Sequence, residues 1–312
     1  MQNKLPQQGQ PGWYYRLSFF FRERFGHPIY KIPIDAGFSC PNRDGTSGTG
    51  GCSYCYNPSF APFSNSETPL SITDQLKRGQ KKNSKAEYLA YFQSYTNTYA
   101  PVEQLKGLYD EALASPGVIG LSVATRPDCI SGEIMSLLES YARSYHLWVE
   151  YGLQSAHDST LKKINRGHSA TAFANAVEKT KEKNIFICAH IILGLPGETR
   201  AMMLQTIKFL NHLKVDGVKF HHLQIIRHTR LAEDYDLGQI TVYCSLQDYI
   251  PVLCDCLEML SPKIVIHRLA AQATSPDLLV APHWPEGASQ IAAAVDGELR
   301  KRGTCQGYLQ NE

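Results

Sequence analysis

Six short apolar runs, each followed by a longer amphipathic stretch, confine this 312-residue chain to very few folds. The runs are YKIPIDAGF (30–38), EYLAYFQS (87–94), GVIGLSVAT (117–125), LWVEYGLQS (147–155), IFICAHIILGL (185–195) and GVKFHHLQII (217–226). Their length and their β-branched and aromatic content predict strands. Helices are predicted near 71–82, 101–114, 132–144, 158–183 and 199–213, with another at 246–260. Six strand–helix repeats make parallel βαβ units, which right-handed crossovers roll into an open barrel or a doubly wound sheet. In both architectures, function gathers where the carboxyl ends of the strands meet their loops.

The flanks are distinct. Residues 1–12 form a polar lead rich in Gln and Pro and are expected to be flexible. The core is expected over 13–261, and 262–312 form an extension with one more strand candidate, KIVIHRL (263–269). Hydrophobic residues make up 43% and charged residues 19%, which excludes global disorder. A formal charge of +2 neither announces nor excludes a nucleic-acid partner. No apolar run reaches the length of about 18 residues that a membrane helix needs, and the polar start does not read as a signal peptide. A cytoplasmic protein is expected, since nine cysteines spread over this length do not read as a disulfide framework.

Three of those cysteines share one loop, CPNRDGTSGTGGCSYC (40–55), directly after the first strand candidate. Thiolates suit zinc and iron–sulfur clusters. A closed zinc site needs a fourth ligand from afar, such as the Cys254–Asp255–Cys256 stretch. A [4Fe–4S] cubane held by Cys40, Cys52 and Cys55 leaves one iron open to a ligand that is not protein. A redox CxxC pair and a zinc knuckle remain as alternatives at this point. The glycines at 45, 48, 50 and 51 let the loop bend. Tyr54 is placed to lie against a planar ring of a bound cofactor.

The three-cysteine loop after the first of six βα repeats resembles the radical SAM superfamily, in the branch that includes the catalytic subunit of Elongator. Further motifs narrow the resemblance: YFQSYTNTYAP (91–101), LSVATRPDC (121–129), VEYGLQSAHDSTLKKINRGH (149–168), HIILGLPGET (190–199) and VKFHHLQIIRHT (218–229). Together they resemble the bacterial family whose members are called YtqA or YhcC. The resemblance implies an α/β fold, a partial (βα)6 TIM-like barrel of the radical SAM type with a C-terminal extension. It implies a [4Fe–4S] cluster on Cys40, Cys52 and Cys55. It also implies S-adenosyl-L-methionine at the open iron, cleaved to a 5′-deoxyadenosyl radical.

The remaining candidates stand at strand ends. Gln154 and Arg166 repeat a Gln…Asn-Arg spacing seen in related enzymes, where both side chains touch the cofactor. An amide suits ribose or carboxylate, and a planar guanidinium suits the methionine carboxylate. The glycine-rich motif that many relatives carry after the second strand is replaced here by QSYTNT, leaving Gln93 and Asn97 as polar candidates. Thr125, Arg126 and Asp128 end the third strand, as a buried pair or as ligand contacts. Cys129, His190 and Lys219 are the weak catalytic candidates, and burial is the commoner fate of a cysteine such as Cys129. Alternation along a strand puts Lys219 and His221 on one side. Arg227 and Arg268 are candidate anion contacts. In ILGLPGET, Gly197 fits a turn and Thr199 a helix cap.

The resemblance suggests tRNA as substrate, with remodelling of the wobble-uridine side chain, such as carboxymethylaminomethyl to aminomethyl. A donor such as flavodoxin or ferredoxin would supply electrons. Basic runs at 76–85, 161–168 and 299–303 suit phosphates, and Tyr91, Phe92, Tyr95 and Tyr99 suit base stacking. Two alternatives differ in class: a radical SAM enzyme acting on a small molecule or protein, and a non-catalytic iron–sulfur or zinc protein.

Overall fold

Strands β1 (Ile29–Ile34), β2 (Glu87–Phe92), β3 (Val118–Thr125), β4 (His146–Gln154), β5 (Phe186–Leu193) and β6 (Gly217–His222) lie side by side in chain order, every pair parallel. The structure is a computed structural model and describes residues 12–61, 70–81, 85–272 and 275–311. The expected lead, apart from Gly12, lies outside the described residues, as do residues 82–84 of one basic run. Strands β3, β4 and β5 are buried on both faces, which is why each reads as a nearly unbroken apolar run. At the edge, β1 tolerates Pro33, whose missing N–H costs no bond on its open side.

The helices return between strands: α2 (Ile72–Gly79) after β1, α3 (Val102–Leu113), α4 (Gly132–Ala142), α5 (Asp158–Lys163), α6 (Ala170–Thr180) and α7 (Arg200–Leu213). Ser71, Ser131, Ser169 and Thr199 cap α2, α4, α6 and α7 through side-chain oxygens. Thr199 thus takes the role expected of it. The single helix predicted over 158–183 is two, because Asn165 (φ 50°) and Gly167 (φ 76°) turn left-handed between α5 and α6. Similar periodicity on either side of the break concealed it.

Other elements were not anticipated. Helix α1 (Leu17–Phe25) precedes β1, and its Phe21 joins Ile29, Leu89, Trp148, Cys188 and Val265 in an apolar plug at the amino end of the barrel. The strand expected to run to 226 stops at His222. Beyond it, β7 (Ile225–Ile226) pairs with β9 (Leu279–Ala281) in a separate antiparallel ribbon. Helices α8 (Arg230–Asp236), α9 (Leu246–Met259) and α10 (Ala288–Arg302) complete the chain. Between α9 and β9, β8 (Val265–Arg268) pairs parallel with β6, so the main sheet takes its seventh strand from the expected extension. The exposed edge of β8 is covered by the segment before α1, where Ile266 N donates to Tyr15 O at 2.7 Å. The curled sheet is a partial barrel, open between β1 and β8. No described helix is long and apolar enough to cross a membrane.

Candidate active site

The long loop between β1 and α2 folds over the carboxyl end of the sheet and is held there by backbone and amide bonds. Gly51 N donates to Asn42 O at 2.8 Å, and Gly51 has a left-handed φ of 79°. A Cβ there would stand 2.9 Å from Arg43 Nε, so glycine lets Arg43 cross the loop to bond the Cys55 carbonyl. The segment after α5 staples the loop from outside. Asn165 Nδ2 donates to Gly51 O at 2.8 Å, Asn42 Nδ2 to Asn165 O at 2.7 Å, and Ser53 N to Ile164 O at 2.9 Å.

This arrangement brings Cys40, Cys52 and Cys55 to the wall of one cavity of about 340 Å³, together with Tyr54, Gln93, Gln154 and Arg166. All three thiols are free. The buried Cys52 Sγ receives Arg166 Nη1 at 3.5 Å and Asn42 Nδ2 at 3.6 Å. Burial alone would raise the Cys52 pKa, but the Arg166 guanidinium overcomes it and the thiol lies below its ordinary value. Cys55, half-buried beside Cys52, is pushed up to about 11 by desolvation and the neighbouring thiolate. Among the described residues, the one set of three thiol, imidazole or carboxylate donors gathered within 4.8 Å is Glu150, Cys188 and His190, of which Glu150 and His190 line the cavity and Cys188 belongs to the plug below it. The loop sulfurs are spread more widely than the ligands of a single tetrahedral ion, which at bonds of about 2.3 Å stand about 3.8 Å apart. Three sulfur donors converging from a wide loop on one cavity, with cationic and amide donors behind them, fit a multinuclear iron–sulfur group.

The other end of the cavity is a buried ionic floor. Glu150 on β4 is fully buried, and its Oε1 accepts from Lys31 Nζ and Ser122 Oγ, each at 2.5 Å. Its Oε2 lies 2.5 Å from His190 Nε2 and 3.2 Å from Lys219 Nζ. Lys219 also donates to Tyr91 Oη at 2.6 Å. Burial would raise the Glu150 pKa, yet Lys219, Lys31 and the His190 bond hold it well below the carboxylate range. Burial and Lys219 lower His190 to about 4, so its ring is neutral at pH 7. The ammonium groups of Lys31 and Lys219 already occupy both carboxylate oxygens, which opposes a divalent cation at Glu150, Cys188 and His190.

The sequence-predicted residues divide clearly. Tyr54, Gln93, Gln154, Arg166, His190, Lys219, His221 and Arg268 line the cavity with the three cysteines. Asn97 is fully buried away from it, its Nδ2 donating to Phe92 O at 3.1 Å and Ala124 O at 2.7 Å, so it ties the ends of β2 and β3. Cys129 is partly exposed outside the cavity lining, with its Sγ 3.9 Å from Asp128 Oδ1. Arg126 makes a two-pronged pair with Asp128 (2.9 and 2.7 Å) and donates to Arg166 O at 2.8 Å, which holds the loop. Arg227 is exposed and bonds Asp277 O. Cys254 and Cys256 are fully buried in α9, within the main core, and do not reach the loop cysteines as a fourth ligand would.

Glu150, Lys31 and Gly152 are among the residues of the site that had not been singled out. A lone carboxylate inside an otherwise apolar, doubly buried strand is the signal that marks Glu150. Of the basic runs, 161–168 stands at the cavity end, following β4, with Lys162 and Lys163 exposed. Lys81 of the first run stacks on Tyr30 at the amino end of β1, on the far side. Phe92 is buried against Tyr109, while Tyr95 is exposed on the cavity rim.

Residues 44–210 match the Radical SAM superfamily, and residues 215–301 match the Radical SAM C-terminal domain. The chain is 37% identical over 308 residues to YtqA of Bacillus subtilis, covering 98% of this chain and 95% of that one. It is 38% identical over 282 residues to YhcC of Escherichia coli K12, covering 90% of each. A more distant match, 25% over 173 residues, covers 54% of this chain and 39% of the tRNA-2-methylthio-N(6)-dimethylallyladenosine synthase of Herpetosiphon aurantiacus. Among solved structures, the Elp3 of Methanocaldococcus infernus with its N-terminus deleted shares the fold, with a TM-score of 0.64 at 17% identity. That match covers 89% of this chain and 64% of the Elp3 chain.

Proposed function

Because the chain belongs to the radical SAM superfamily, with a [4Fe–4S] cluster and S-adenosylmethionine as its cofactors, we propose that it remodels the side chain of a tRNA wobble uridine, converting carboxymethylaminomethyl to aminomethyl. When bound, these cofactors supply a 5′-deoxyadenosyl radical, which takes hydrogen from a carbon centre. Cys40, Cys52 and Cys55 hold the cluster as thiolates. Arg166 and Gln154 hold the polar end of adenosylmethionine, the one by charge and the other through its amide. Tyr54 and Gln93 complete that wall of the cavity. The apolar plug below the floor would keep water from entering through the amino end of the barrel.

The observation that carries this reading is that the three thiols and the Glu150–Lys219–His190 floor face one cavity. One wall suits the cofactor, and the other is a separate polar surface for a second molecule. A tRNA is favoured by the distant tRNA-modifying relative and by Lys162 and Lys163, exposed beside the mouth. A donor of the flavodoxin or ferredoxin kind supplies the electron.

Nucleoside mass spectrometry of tRNA from cells lacking this protein tests the reading. The carboxymethylaminomethyl nucleoside should accumulate and the aminomethyl one disappear. An unchanged nucleoside profile, with deoxyadenosine still released by the purified enzyme, would move the substrate to a small molecule or protein.

A further inference from the structure

The floor of the cavity carries more positive charge than its one carboxylate balances. Lys31, Lys219 and Arg268 converge there, and among the described residues facing them only Glu150 is acidic. Lys31 and Lys219 both bond Glu150, whereas Arg268 does not: its Nη2 lies 2.6 Å from His221 Nδ1, and its Nε has no partner among the described residues. Lys219 and Arg268 are also register neighbours across β6 and β8. Like charges side by side on adjacent strands repel, and enclosed cations without counterions are costly. A sheet tolerates such a pair where an anion enters between them. The buried Nε without a partner shows that no carboxylate of the protein takes up the Arg268 charge, and a planar guanidinium at a cavity wall suits an incoming carboxylate.

We propose that Lys219 and Arg268 form an anion subsite at the cavity floor that holds a carboxylate of the substrate. The inference rests on the reading of the cavity as an active site and deepens it. The carboxylate end of the substrate enters first and lies at the floor, while the atom to be attacked lies between the floor and the cysteine wall. Tyr91 and Glu150 set the position of the Lys219 ammonium, and His221 that of Arg268.

Two probes separate the inference from the reading. The first is anticodon stem–loop RNA carrying carboxymethylaminomethyluridine, compared with the same RNA carrying the carboxamide, titrated calorimetrically into cluster-loaded enzyme with adenosylmethionine. The acid should bind about tenfold more tightly, the worth of one charge-assisted bond. Arg268→Gln, which leaves every bond to Glu150 intact, should remove the preference, and so should Lys219→Met. The second probe needs no RNA: N-acetylglycine should raise the melting temperature of the wild-type protein but not of Arg268→Gln, and N-acetylglycinamide should have no effect on either. Equal binding of acid and amide, a preference that survives Arg268→Gln, or stabilisation by inorganic phosphate but not by N-acetylglycine overturns the subsite. If the RNA does not bind while N-acetylglycine still stabilises the wild type alone, the subsite stands and the tRNA reading fails. If the RNA acid drives deoxyadenosine release without any acid preference, the reading stands and the subsite fails.

Discussion

Gly152 makes room for Arg166. The guanidinium donates to Gly152 O from Nη2 at 2.7 Å and from Nε at 3.3 Å, and a Cβ at position 152 would stand 2.5 Å from Nη2 and 2.8 Å from Gln154 Nε2. One missing methyl group therefore positions both residues assigned to the cofactor. Gly152→Ala should displace them together and weaken adenosylmethionine binding about tenfold, the scale of one lost bond to a charged group. The cluster should still assemble, because the loop that carries Cys40, Cys52 and Cys55 is held by bonds of Asn42, Ser53 and Asn165 that do not involve Gly152. Titration with adenosylmethionine and iron analysis of the same preparation check both halves, and undiminished affinity would separate Gly152 from the cofactor site.

Cys52 and Cys254 make a matched pair for testing the ligand set. Both are buried thiols, but Cys52 faces the cavity and Cys254 packs from α9 into the main core. Cys52→Ala should lose cluster iron and deoxyadenosine release while the apo protein melts as before. Cys254→Ala should keep its full iron content and lose about 1 kcal/mol of stability, as a modest core truncation does. Iron and sulfide analysis after anaerobic reconstitution, beside urea unfolding, reads the difference. Equal iron in the two variants would refute the assignment of Cys52.

Features written locally in the chain were legible, and features assembled across strands were not. The doubly buried strands announced themselves as apolar runs, and the cysteine loop through its spacing. Gln154, Arg166 and Lys219 were reachable because each follows or alternates within a recognisable strand. The ionic floor was hidden, since Lys31, Glu150, Lys219 and Arg268 come from four strands separated by up to 237 positions in sequence and nothing local links them. Asn97 shows the opposite error: a polar residue at a strand end reads as a ligand, but the carbonyls of Phe92 and Ala124 claim its amide first. Helix α1 was missed because Phe19, Phe20 and Phe21 in succession match neither a strand alternation nor a single helical stripe.

Glu150 holds the floor together from the centre of β4. Lys31, Lys219, Ser122 and His190 all bond its carboxylate. Glu150→Gln keeps the shape and removes the charge, leaving enclosed cations without their counterion. Removing one partner from a buried ion pair costs about 3–5 kcal/mol, and urea unfolding should show a loss of that size. The loss should shrink when Lys31→Met is added, because one orphaned cation then disappears. Additive losses in the double variant would mean that the two residues do not act as a pair.

Lys219 should make substrate capture sensitive to alkaline pH. The groups around its ammonium are Lys31 from β1, Tyr91 from β2, Glu150 from β4, Cys188 and His190 from β5, and Arg268 from β8. Burial, together with Arg268 and Lys31, lowers its pKa from 10.5 to about 8, against the opposing pull of Glu150. The folded value lies below the unfolded one, so between pH 8 and 10.5 the unfolded chain holds more protons and this group's contribution to stability rises with pH. Binding of an anion runs the other way, since it needs the proton that Lys219 loses in that window. Affinity for the carboxylate-bearing RNA should therefore be level below pH 8 and fall as the pH passes about 8, while the carboxamide RNA shows no such limb. Lys219→Arg, which keeps its charge to higher pH, should carry the limb upward even if overall affinity falls. A limb that stays at the same pH in Lys219→Arg would assign it to another group.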